Sequence, residues 1–249
     1  MTGALAVYRR ELLALWVTPL AWVLLVVFLL LEGGIFYAIV VHFATLPEPS
    51  VDSGPLQAFF GQESVLLLIT LMLLCPALTM RSFAEERKSG TIETLLTAPV
   101  SAGAVVAGKY LAVLTTFGIM WAPTLLYVLI LGKAGDLDAG TVLSSYLGLS
   151  GVGATYLAIG TLMSAMTRSQ LVALLLTVFV VFGLFVLGIG EYLLEDGLLR
   201  DVSSYLSMGS QMDDFSRGIV DSRRVVLDVT LVACCLFLCT RVVESWSTE

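Results

Sequence analysis

The chain has 249 residues, of which 58% are hydrophobic and 13% charged, with a formal net charge of −7 and a mean hydropathy of +0.95. Soluble domains carry about 25% charged residues, so a soluble globular protein is excluded and the bilayer is the expected solvent. The 13 Lys and Arg are scattered rather than clustered, which argues against nucleic acid as a partner.

Windows of about 20 apolar residues predict an all-α integral membrane protein with one domain over 1–249. The six expected spans are Leu20–Val41, Glu63–Met80, Lys109–Leu131, Val142–Met166, Gln170–Ile189 and Val225–Val243. Ahead of them, residues 3–16 set Leu5, Leu12, Leu13 and Trp16 beside Arg9, Arg10 and Glu11, the pattern of a helix lying in the membrane interface. The first span is too long and begins too late for a cleavable signal peptide. Near its middle stands Glu32, followed by Gly33 and Gly34. An unpaired ionised carboxylate at that depth costs roughly 3 kcal/mol or more, so Glu32 should face protein or water. Two roles stay open: a polar contact in a translocation path or proton-sensitive switch, or a hydrogen-bonded residue at a helix interface.

After the second span, loop 81–108 is charged first, breaks at Ser89-Gly90, predicts a short helix over Thr91–Leu96 and stops at Pro99. Gly103 to Tyr110 nearly matches the phosphate loop GxxxxGK[ST], but Tyr110 replaces the Ser or Thr that must hold magnesium and no strand precedes it. Small residues for close helix packing, with Lys109 marking the end of the third span, explain the segment better. Any ATP used is expected on another chain. On the fourth span Gly148-Leu149-Ser150-Gly151 fits the GxSG of rhomboid intramembrane proteases. A serine nucleophile needs a neighbouring base, and the single histidine is His42, at the outer end of the first span. Gly148, Gly151, Gly153, Ala154, Ala158 and Gly160 read instead as a close-packing face.

Residues 191–224 mix Leu193, Leu198, Leu199, Tyr205 and Phe215 with acids and glycines, which suits short amphipathic helices dipping into the outer leaflet. The cysteines, Cys75, Cys234, Cys235 and Cys239, all lie in apolar segments and imply no disulfide framework. Cys234, Cys235 and Cys239 with Met208 and Met212 could serve as soft Cu(I) ligands, although packing is the simpler reading.

Basic residues near span ends are retained in the cytoplasm. With both termini inside, Arg9, Arg10, Arg81, Arg87, Lys88, Lys109, Arg168 and Arg241 are cytoplasmic. Lys133, Arg200, Arg217, Arg223 and Arg224 fall outside, where most of the acidic residues also collect.

The stretch from Glu85 to Val100, EERKSGTIETLLTAPV, resembles the coupling-helix segment of type 2 ABC-exporter permeases. Phe215 to Arg223, FSRGIVDSR, is similar to a signature of the gliding-motility and nitrous-oxide-reductase maturation subfamily, except that Arg224 stands where an Asp is usual. The resemblance implies the permease subunit of an ATP-driven exporter in a bacterial cytoplasmic membrane. It would work with two ABC ATPase subunits and a second permease chain, identical or related, and sit among membrane lipid. This chain would bind no cofactor, ATP and Mg being held by the partner ATPase. The resemblance further implies ATPase coupling through Glu86, Arg87, Gly90, Thr91, Ile92, Glu93, Thr94, Leu95, Leu96 and Pro99. It also implies an outer re-entrant segment containing Phe215, Arg217, Gly218, Asp221 and Arg223. The alternatives are an ion- or proton-coupled carrier using Glu32 and a rhomboid-like protease.

Overall fold

The computed structural model describes residues 2–45, 54–61, 65–90, 100–134 and 137–246. Among them the structure is helical, and six helices are long and apolar enough to cross a bilayer, as the sequence predicts. In chain order the elements are α1 (Thr2–Val17), α2 (Pro19–Thr45), α3 (Pro55–Phe60), α4 (Val65–Thr79), α5 (Ala84–Ser89) and α6 (Ala102–Trp121). They are followed by α7 (Leu125–Ala134), α8 (Ala139–Met166), α9 (Gln170–Leu193), α10 (Leu198–Leu206), α11 (Met208–Ser216) and α12 (Ser222–Ser245).

The long third span starts at Ala102, about two turns before its expected beginning at Lys109. Ser101 begins it by accepting the Ala104 N–H, an N-cap that satisfies an otherwise unpaired donor. Pro123 divides the span into α6 and α7 through the 3-10 turn Ala122–Thr124, because proline cannot donate to the helical ladder. The Thr124 hydroxyl lies 2.7 Å from the Trp121 carbonyl and 2.8 Å from Tyr146 Oη, tying the break to α8. Helix α3 was not expected; at its start the Gln57 side chain accepts the Gly54 N–H at 2.6 Å, just ahead of Pro55.

Helix α8 is the hub, with α4, α6, α9, α11 and α12 packed around it. Its small residues let neighbours approach closely. A β-carbon on Gly160 would collide with Thr79 of α4, and one on Gly153 with the Phe117 ring of α6. One on Gly148 would come within 2.8 Å of Phe215. The central apolar cluster joins Phe28, Phe36, Leu71, Trp121, Leu149, Tyr156 and Met212 from five helices. A smaller cluster, containing Val7, Phe83, Val105, Val106, Leu162, Cys239 and Val243, closes the end of the bundle nearest α1 and α5. Outward faces of α2 and α9 are apolar, with Leu30, Tyr37, Leu171 and Phe179 among their exposed residues. Such faces require lipid or another membrane protein as their solvent.

Candidate functional site

Two glycines build the α1 end. Gly108 of α6 brings that helix against α1, so closely that a β-carbon there would sit 2.8 Å from the Ala4 carbonyl oxygen. The phosphate-loop look-alike is therefore a continuous helix and a helix-packing site. Gly90, at φ +72°, terminates α5 in the left-handed region, a conformation that glycine adopts without a β-carbon penalty.

Lys109, which the sequence reads as marking the end of the third span, is buried in an ion-pair cluster. Its side chain is 2% exposed, and Nζ lies 3.1 Å from Glu11 Oε1 and 3.0 Å from Glu86 Oε1. Arg10 donates to the same two oxygens at 2.6 and 2.8 Å. Two cations thus share two carboxylates, and the four charges weld α1, α5 and α6. The Glu11 partner of Lys109 comes from α1, which is distant in sequence and packs across Gly108.

Helix α5 is also fastened to α8. The Ser164 hydroxyl oxygen accepts from the backbone N–H groups of Phe83 at 3.0 Å and Ala84 at 3.2 Å. Arg87 donates to the Ala165 carbonyl at 3.1 Å, and its guanidinium stacks 4.5 Å from the Trp246 ring. Glu86, Arg87 and Gly90 of the expected coupling segment are therefore placed on a braced helix and its cap. Thr91, Ile92, Glu93, Thr94, Leu95, Leu96 and Pro99 lie outside the described residues. The described chain stops at Gly90 and resumes at Val100, next to the capped start of α6.

Within the spans, Glu32 is fully buried, on the same stripe of α2 as Phe28 and Phe36. Neither carboxylate oxygen has a hydrogen-bond partner among the described residues. Thr70 of the neighbouring α4 donates to the Leu66 carbonyl. Burial of an acid without partners is costly.

At the opposite end, α10 and α11 fold back over α8 and α9. Phe215 is buried against Gly148, and its carbonyl accepts the Ser144 hydroxyl at 2.6 Å. Gly218, at φ +84°, ends α11, and Arg217 pairs with Asp213 at 3.0 Å. Asp221 caps α12 by accepting the Arg223 N–H at 2.9 Å, while the Arg223 carbonyl accepts the Tyr205 hydroxyl. Arg224, the departure from the subfamily pattern, reaches the carbonyls of Ser204, Tyr205 and Ser207 at 2.7, 3.2 and 3.2 Å. It thereby neutralises the negative end of α10. Burial raises the Asp214 carboxyl above its usual range, against the pull of Arg224 at 3.7 Å.

One turn along α12, Asp228 was not singled out from the sequence. It is buried against Gly151, accepts Gln211 Nε2 at 2.6 Å and accepts the Thr155 hydroxyl at 3.2 Å. A carboxylate inside an otherwise apolar span was the available signal.

Ser150 spends its hydroxyl on the Leu147 carbonyl at 2.8 Å, and His42 lies in the last turn of α2 with its ring against Phe43. Cys234 is exposed, whereas Cys239 is buried with its thiol directed at the Thr161 carbonyl. Among the described residues no group of three metal-ligating side chains forms.

A helical bundle with six spans, a back-folded segment at one end and a charged, braced helix at the other defines a multi-pass membrane protein. A family model described as ABC-2 family transporter protein matches residues 35–217, more than half of the chain, and the chain belongs to that family. It is a multi-pass permease component of an ABC transporter, and the family implies association with ABC ATPase subunits. No curated protein matches the chain significantly.

Proposed function

We propose that this chain is the permease half of an ATP-driven exporter and that Ser89–Pro99 receives the force of ATP hydrolysis from a separate ATPase. The observation that carries this reading is the bracing of α5. The Ser164, Arg87 and Glu86 contacts connect it to α8, α12, α1 and α6. A push on the segment between Gly90 and Val100 is delivered to four helices rather than absorbed by a loose loop. Leu95 and Leu96 supply an apolar anchor for a groove on the ATPase, and Glu93 sets orientation at its rim.

Two such chains, identical or related, enclose the pathway with two ATPase subunits, because a single six-span half cannot. The α1–α5 end faces the cytoplasm of a bacterial cell, as the basic residues Arg9, Arg10, Arg81, Arg87 and Lys88 favour. The likeness of the FSRGIVDSR segment to their signature supports a place among the gliding-motility and nitrous-oxide-reductase maturation permeases. Glu32 serves the pathway or its gating. Purifying the tagged chain from its own host in mild detergent tests the assignment. A polypeptide with phosphate-binding and ABC signature motifs should be retained in a two-to-two assembly by native mass measurement. A chain that purifies without such a partner while still transporting would overturn it.

A further inference from the structure

Among the six spans, α12 alone contains neither glycine nor proline. Sharp kinks arise chiefly at proline, at glycine–serine pairs or where the helical ladder is interrupted. The 24 residues of α12 therefore form one stiff rod of about 36 Å, at about 1.5 Å per residue. The other spans have points of weakness: α4 contains Pro76, α6 gives way to α7 at Pro123, and α2, α8 and α9 carry glycines.

Both ends of the rod are fastened to short helices outside the spans. At one end Arg224 bonds the carbonyls of Ser204, Tyr205 and Ser207, and Asp228 accepts Gln211 Nε2 of α11 at 2.6 Å. At the other end Val243 joins the buried cluster that contains Phe83. The Trp246 ring, just past α12, meets the Phe83 ring edge-on at 6.0 Å between centroids and lies 4.5 Å from the Arg87 guanidinium of α5.

Between its ends α12 is held on one side. It packs along α8, whereas Val226, Val229, Phe237 and Leu238 are exposed. A cavity of 920 Å³ separates it from α6, with Val229, Val232 and Leu236 across from Leu114, Phe117 and Trp121. The helix therefore has room to tilt against α8 without unpacking α6.

We infer that α12 is the lever linking α5 to the back-folded α10 and α11, and that Trp246 is the positioning residue at its inner end. When α5 moves, Phe83 and Arg87 carry the Trp246 ring with them. The unhinged rod then shifts Arg224 and Asp228, the groups that hold α10 and α11. The use of this lever in transport rests on the proposed function, in which α5 takes the push of the ATPase. The link itself lies within one chain and is measured without ATPase, so the two readings fail separately.

The test is amide hydrogen exchange of the full chain, purified in detergent without ATPase, against Trp246→Leu, which keeps an apolar side chain and removes the ring. Exchange should rise about fivefold in α11 as well as in α5, the low end of typical coupling between sites, while α4 stays protected. Trp246→Tyr returns a ring to Arg87 and should restore protection in both helices. From the other end, Gln211→Leu breaks the bond to Asp228 and should raise exchange in α5 by a similar factor, because coupling is reciprocal. A Trp246→Leu effect confined to α5 and the last turn of α12 would overturn the inference, since a ring that only packs locally gives that result. So would an equal rise in α4, which marks general loosening, or an α5 that does not respond to Gln211→Leu.

Discussion

Lys109 and Glu86 form an ion pair of 3.0 Å, with the lysine side chain 2% exposed, between the first turns of a membrane-spanning helix and the short helix that precedes the expected ATPase contact. Removing one member of a buried pair leaves an uncompensated charge, which typically costs 3–5 kcal/mol. Arg10 still faces both carboxylates after Lys109→Met, so the cost should be about 3 kcal/mol, the lower end of that range. The double variant Lys109→Met, Glu86→Gln should be more stable than Lys109→Met alone, a coupling that thermal unfolding in detergent reads directly.

The glycines of α8 and α9 should respond in opposite ways to the same substitution. Gly160→Ala forces a methyl group into Thr79 and should destabilise by about 1–3 kcal/mol. Gly183 on α9 has nothing within 4 Å of the position its β-carbon would take. Gly183→Ala should therefore be neutral or stabilise by about 0.5–1 kcal/mol through lower helix entropy cost. Equal melting temperatures for the two variants would contradict the packing described for α8.

Arg224 bonds three carbonyls at the end of α10. Arg224→Met should loosen α10 and α11 and raise their amide exchange while leaving α4 protected, at a cost of about 1.5–3 kcal/mol for lost bonds to a charged group. Arg224→Lys should not restore protection, because a single ammonium lacks the planar fork that spans several acceptors.

Glu32 separates stability from function. Its carboxylate is buried and has no hydrogen-bond partner among the described residues, so Glu32→Leu should leave the melting temperature unchanged or raise it. If the acid gates the pathway, Glu32→Gln should lower transport in the reconstituted complex at normal expression. Unchanged transport would leave only a packing role.

Much of the bundle was legible because a bilayer demands apolar runs of about 20 residues, and these stand out whatever they pack against. Glu32 was legible for the same reason, as a charge in a run that should have none. What escaped depends on contacts distant in sequence. Lys109 resembles a topological flank until α1 folds across Gly108 and brings Glu11 to it. Asp228 becomes a buried acceptor only when α11 delivers Gln211. Arg224 looked like an exception to a pattern and is explained by carbonyls on another helix. Helix α3 spans six residues, too short for hydrophobic periodicity to register, although its Gly54-Pro55 start was a readable signal.

In the proposed function, force enters between Gly90 and Val100. Leu95→Ala, Leu96→Ala changes that segment and no span, so membrane insertion should be retained. The decisive measurement is ATP hydrolysis by the co-purified ATPase, and its retention on the permease, with this double variant against the unaltered chain. Loss of ATPase retention and of permease-stimulated hydrolysis is the predicted result. Unchanged retention and unchanged stimulation in a correctly inserted double variant would contradict the account.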